Sequence, residues 1–176
     1  MKDVELKLVS ELMKNSRRSD RELAREVGVS QPTISRTIAK LEKEGVIREY
    51  TMIPDFKRLG YELASLTFVA MRSGLAQEEI RKARKTTEHD MCAACPSEIL
   101  MFERGLGMGF SGVIVAVHRD YESYAKLKDR IRDYDFVDHA RTASFLIDLG
   151  DEVHYRYITF STVAKDLLDD SQSAPQ

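Results

Sequence analysis

Between Asp20 and Gly45 the chain reads DRELAREVGVSQPTISRTIAKLEKEG, which leaves room for two short helices with one sharp turn between them and for little else. Leu23 and Val27 fall four apart with Ala24 beside them, and charged residues fill the other positions of the first helix. Gly28 can take the left-handed conformation in which a helix C-cap reverses. Ser30 then offers an N-cap oxygen, and Pro32 falls in the next first turn, where a missing N–H costs little. Ile34, Ile38 and Leu41, at i, i+4 and i+7, give the second helix a buried stripe. That stripe turns Gln31, Thr33, Arg36, Thr37 and Lys40 outward, with Ser30 and Ser35 beside them. Short polar groups at a helix start, followed by a guanidinium and an ammonium one turn apart, can bond base edges in a major groove and neutralise phosphates. In that role Gln31 and Arg36 read bases and Lys40 holds a phosphate. A solvated helical hairpin would show the same polar face, but capped turn, small-residue contact and uncharged polar tip coincide less often than each occurs alone.

Two helices cannot bury that stripe alone. Residues 3–15 place Val4, Leu8 and Leu12 on one face, with Val9 and Met13 alongside, as a third member of the bundle. The connecting Asn15–Asp20 is a polar turn; Asp20 is a candidate N-cap, and Arg17 and Arg18 either reach phosphate or stay solvated. After Gly45, Val46–Ile53 is β-branched and alternating and stops at Pro54, so a strand or hairpin here would form a wing carrying Arg48 to the DNA backbone. Phe56–Tyr61 then reads as a hinge.

Charge divides the chain at the same place. Residues 1–60 carry 13 Lys/Arg against 10 Asp/Glu, whereas residues 61–176 carry 14 against 19, so the net −2 hides a basic first part. Hydrophobic content of 43% beside 32% charged residues is that of a soluble globular protein. The start Met1-Lys2-Asp3 has no secretory apolar region, and the longest apolar run, Val113–Val117, suits one buried strand rather than a membrane span. A cytoplasmic location follows as the expectation, and two cysteines there are no disulfide framework.

From residue 62 the period changes. Strands are expected at 63–71, 97–103, 112–118 and 140–148, with helices at 75–88 and 121–134. The order β-α-β-β-α-β describes an antiparallel sheet with two helices on one face, a ferredoxin-like sandwich. Val153–Phe160 alternates well enough for an extra strand, and Ser161 can cap a short helix through Leu168. The expected organisation is thus α+β: a winged helix-turn-helix at 1–60, a ferredoxin-like effector and oligomerisation domain at 61–168, and a polar, disordered tail at 169–176.

A winged helix-turn-helix followed by βαββαβ resembles the feast/famine regulators, the Lrp/AsnC family of transcription factors. The most specific piece is Ser30–Ile47, SQPTISRTIAKLEKEGVI, which is similar to the family's recognition helix running into its wing. The resemblance implies a regulator that binds double-stranded DNA as a homodimer, with tetramers or octamers as further assemblies, and takes small effectors, commonly amino acids. Dimerisation also has a physical motive: one recognition helix reads too few base pairs, and two related by a dyad read a palindrome. No cofactor is implied. An enzyme of the siroheme-decarboxylase kind resembles the same architecture, so fold alone leaves catalysis open.

Two loops depart from that pattern. Where family members carry a Gly-acidic-aromatic-Asp turn, this chain has Glu103–Gly112, ERGLGMGFSG, with Gly112 about where the aspartate would stand. The GxGxG of Gly105, Gly107 and Gly109 joins two strands, not a strand and a helix, so it reads as a hairpin loop; if it holds an effector, Gly109, Phe110 and Ser111 are the candidates. The second loop, His89–Pro96, contains Cys92 and Cys95 as a CxxC pair. Two packed small residues, a reversible disulfide acting through the dimer interface, and two thiolates sharing a metal with His89 all fit that spacing.

Overall fold

The computed structural model describes residues 1–94, 98–153 and 158–173. The chain folds as two compact units: Met1–Ile53 joined by the C-terminal stretch from Tyr155, and Pro54–His154.

In the first unit, α1 (Asp3–Lys14), α2 (Asp20–Val27) and α3 (Gln31–Lys43) bury the residues their periodicity marks. Leu8, Leu23, Val27, Ile34 and Leu41 form the core, with Val4, Leu12, Ile38 and Ile47 packed against it. A fourth helix, named α6 here because it comes last (Ser161–Ser173), packs on α1. Their seam closes over Ala164, which is fully buried, as is Ser10, whose hydroxyl donates to the Ala164 carbonyl at 2.6 Å. Three expectations therefore change. The boundary falls at 53/54 rather than 60, and the terminal helix belongs with the first unit, where it packs on α1 with Ser10 and Ala164 buried. That helix also continues past Leu168 to Ser173, through residues assigned to a disordered tail. The extra strand at Val153–Phe160 lies partly outside the described residues, and residues 158–160 carry no ladder.

The second unit runs β1 (Leu63–Val69), α4 (Gln77–Ala94), β2 (Ile99–Gly107), β3 (Phe110–His118), α5 (Tyr121–Arg132) and β4 (Ala143–Asp148). Its four strands lie in the order β2-β3-β1-β4, each antiparallel to its neighbours, which is the ferredoxin-like sandwich the element order implies. Val69, Ile114 and Ala116 pack with Leu127 and Ile131 of α5 and with Val137. On the opposite face Ala64, Leu66 and Phe68 stand beside Val117, Val115 and Val113 on one side and Ile147, Phe145 and Ala143 on the other. Phe145 is 65% exposed and Ile147 40%.

Two further corrections concern the ends of strands. No strand forms at Val46–Ile53, where the alternation has no neighbouring strand to bond among the described residues. The Phe56–Tyr61 hinge is instead a clamped turn: its 3-10 segment Lys57–Leu59 ends at Gly60, φ 84°, the Tyr61 ring meets Phe56 edge-on at 5.8 Å, and Arg119 lies over Tyr61 at 5.0 Å. Lys57 Nζ donates to the Gly150 carbonyl at 3.1 Å and Leu149 N–H to Glu62 O at 2.8 Å, beside the paired Leu63 and Asp148. The two ends of the second unit are thus held side by side.

Candidate nucleic-acid interface

Three capping devices build the helix pair. The α2 N-cap is Ser19, one residue before the expected Asp20: its hydroxyl accepts from Glu22 N–H at 3.3 Å while Glu22 accepts from Ser19 N–H at 2.7 Å. Asp20 is thereby released for another task, and its carboxylate accepts from the Ser35 hydroxyl of α3. Gly28, φ 80°, ends α2, and Ser30 caps α3 with Pro32 in the first turn.

The candidate contact residues then fall into three groups. Gln31 and Arg36 are exposed on α3 and Arg17 and Arg48 on the flanking segments; among the described residues none of these four heads has a bond or ion pair. A second group spends its hydroxyls inside α3. Ser30 bonds Thr33 at both N–H and hydroxyl, Thr37 donates to Thr33 O at 2.8 Å, and Ser35 is held by Asp20. The third group is cationic but already partnered. Arg18 pairs with Glu11, and Lys40 Nζ lies 2.6 Å from Glu5 Oε1. Glu5 is buried at 6% exposure in α1, and its bond to Lys40, with a further one from Lys2 N–H, holds its carboxyl below the usual carboxylate range. The same bond raises the Lys40 ammonium above its ordinary value. Glu5, Glu11 and Asp20 are therefore part of the face although sequence position gives no sign of it. Arg21, exposed in the first turn of α2, is a further cation that the recognition-helix pattern passes over.

The proposed effector residues are committed to their hairpin. Gly109 O accepts from Arg141 Nη2 at 3.0 Å, Phe110 packs on Phe68 at 5.4 Å, and Ser111 accepts from Met71 N–H at 3.3 Å. The turn is also tighter than the expected loop at 104–111: β2 runs to Gly107 and β3 begins at Phe110, leaving Met108 and Gly109 between them. Of the cysteine pair, Cys92 lies in α4 and Cys95 lies outside the described residues. No group of three or more His, Cys, Asp or Glu that could share a metal ion occurs among the described residues. His118 is buried against Ser65 and Tyr124, His139 is exposed, and His154 lies outside the described residues. No helix among the described residues is long and apolar enough to cross a membrane.

Comparison with known proteins matches residues 1–48 to a family described as winged helix-turn-helix DNA-binding. An HTH-type transcriptional regulator of Pyrococcus furiosus is 41% identical over 66 residues, 38% of this chain and 45% of its own length. The leucine-responsive regulatory protein of Rhizobium meliloti is 36% identical over 69 residues, 39% of this chain and 44% of its own. The chain thus matches less than half the length of these curated relatives. Solved structures extend the likeness of fold to both units. AsnC of E. coli superposes with TM-score 0.65 at 21% identity, over 90% of this chain and 97% of that one. A transcriptional regulator of Neisseria meningitidis in complex with L-Met gives 0.68 at 18%, over 93% and 99%.

Proposed function

We infer that this chain, an Lrp/AsnC-family protein in the sequence of its first unit and in its fold, is a sequence-specific DNA-binding transcription regulator that acts as a dimer or larger homo-oligomer. The observation that carries the reading is the capped α2–turn–α3 pair with unpaired Gln31 and Arg36 on its outer face, inside the segment matched to winged helix-turn-helix domains. Gln31 and Arg36 read base edges, since an amide bonds adenine in two places and a guanidinium does the same for guanine. Arg17 and Arg48 hold phosphates. Lys40 and Arg18 add phosphate contacts only by sharing or leaving their carboxylates.

Self-association is supported from two sides. The open sheet face around Leu66, Phe68, Val115 and Phe145 is an apolar surface of the kind a second sheet covers. Val46–Ile53, strand-like in sequence and without a ladder partner among the described residues, exposes Met52 at 71% and Tyr50 at 49%. It suits pairing with the same segment of a second copy. Two recognition helices brought together by a dyad read a palindrome.

A small effector and a Cys92/Cys95 redox response are extensions of this reading. The L-Met bound by the Neisseria regulator makes amino acids the first class to test. Selection of bound sites from a random DNA library, with and without reductant and amino acids, tests all three. Enrichment of a palindromic motif is the expected result; equal retention of random and selected DNA would overturn it.

A further inference from the structure

The first unit is completed by a helix that follows the whole second unit in the chain. α1–α3 end by residue 43, and α6 begins at Ser161, yet α6 returns to pack chiefly on α1. Ser10, fully buried, donates to the Ala164 carbonyl at 2.6 Å, so this seam contains a directed bond as well as apolar contact. Removing α6 would leave the Ser10 hydroxyl without that acceptor and bare an apolar flank of α1. The same α1 carries Glu5, which grips Lys40 on α3. A path of direct contacts therefore runs from α6 through α1 to the helix proposed to meet DNA.

The tether that delivers α6 starts from a fixed point. The second unit's two ends are bound together through Lys57 to Gly150 and Leu149 to Glu62, and residues 151–160 are all that lie between Gly150 and Ser161. A tether that short keeps α6 at an effective concentration on the order of millimolar near α1, provided its length spans the gap. A shift of the second unit that shortens the usable tether would draw α6 off.

We propose that α6 is a strap through which the second unit controls DNA binding: seated on α1 it holds the first unit in its DNA-competent form, and drawn away it lowers DNA affinity. Because α6 packs on α1, the seated form leaves the outer face of α3 clear, which argues for a brace and against a blocking segment. The proposal rests on the DNA-binding reading above.

Full-length parent, Ala164→Glu and Ser10→Ala proteins test it by two readouts: hydrogen exchange of α1 and α6 amides, and anisotropy on DNA selected by the parent. Ala164→Glu puts a carboxylate into a fully buried site, so α6 should exchange freely and affinity should fall about tenfold or more, within the usual range of coupling between sites. Excess peptide of residues 158–173 with the parent sequence should restore it. Ser10→Ala, which removes one bond and no volume of note, should weaken affinity about threefold to tenfold. Freely exchanging α6 with parental DNA affinity overturns the strap. If Ala164→Glu melts the first unit outright, Ser10→Ala decides alone, and loosened α6 with unchanged affinity overturns it again. A parent that selects no DNA would instead sink the DNA-binding reading, while its exchange pattern would still report whether α6 is seated.

Discussion

Lys40 shows how a residue can keep its position and change its part. Its place on α3 assigns it to a phosphate, but Glu5, 35 positions earlier, already neutralises it at 2.6 Å. Glu44 Oε1 also lies 3.7 Å from Lys40 Nζ, so Glu5→Gln combined with Glu44→Gln should free that ammonium to neutralise one more phosphate and steepen the fall of log affinity with log salt by roughly 0.9. An unchanged slope would remove Lys40 from the interface. Arg36→Ala should act differently, relaxing preference at one base position by about 1–3 kcal/mol with the slope nearly constant. Short-range features of this site were legible: Ser30 caps three residues ahead and Gly28 turns where it stands. The Glu5–Lys40 and Asp20–Ser35 bonds were not, since nothing local pairs residues 35 and 15 positions apart. His118 makes a separate prediction in the second unit. Its Nε2 meets Ser65 Oγ at 2.8 Å, its Nδ1 has no partner among the described residues, and burial lowers its pKa despite Glu98 and Asp120. Protonation is then easier in the unfolded chain, so the stability His118 supports is complete above about pH 6.5 and is lost as pH falls through the folded value. The melting temperature of the second unit should drop between pH 7 and 5, and His118→Phe should flatten that drop.

At the scale of elements, turns carry the sharpest tests. Gly28 has φ 80° and open space around its α-carbon, so Gly28→Ala meets no atom, only an unfavourable backbone. It should cost the first unit about 1–2 kcal/mol by thermal or urea unfolding. The β2–β3 turn runs the other way. Met108, φ 49°, and Gly109, φ 80°, both take the left-handed region that a two-residue hairpin with right-handed strand twist demands, and Met108 is 84% exposed. Met108→Asn should stabilise the second unit by up to about 1 kcal/mol. Gly109→Ala should destabilise it, because φ 80° is unfavourable for any residue with a β-carbon, and the Arg141 guanidinium would also have to move aside. The helices and strands were legible because their periodicity is strong, and both α3 and β3 hold to it. The wing strand and the loop between β2 and β3 were misread for one reason: composition shows what a segment can do, and only its partners decide whether it pairs. Val46–Ile53 lacks a ladder partner among the described residues, whereas Arg104 and Gly107 have theirs in β3.

The second unit leaves an apolar sheet face open, and there a charge should be decisive. Phe145, 65% exposed, faces the same way as Leu66 and Val115, so Phe145→Asp should shift sedimentation toward monomer without unfolding the second unit. Unaltered sedimentation of an associating parent would move the contact elsewhere. Domain order was readable from the change of period near residue 62, but membership was not: α6 has an ordinary amphipathic sequence, and only the flank of α1 reveals where it goes. That return has a consequence for synthesis. The ribosome delivers α1, α2 and α3 first, then more than a hundred residues of other structure before α6 emerges. At roughly 5–20 residues per second the unfinished helical unit waits on the order of ten seconds for its last piece. An interrupted chain would therefore carry a recognition helix without its brace.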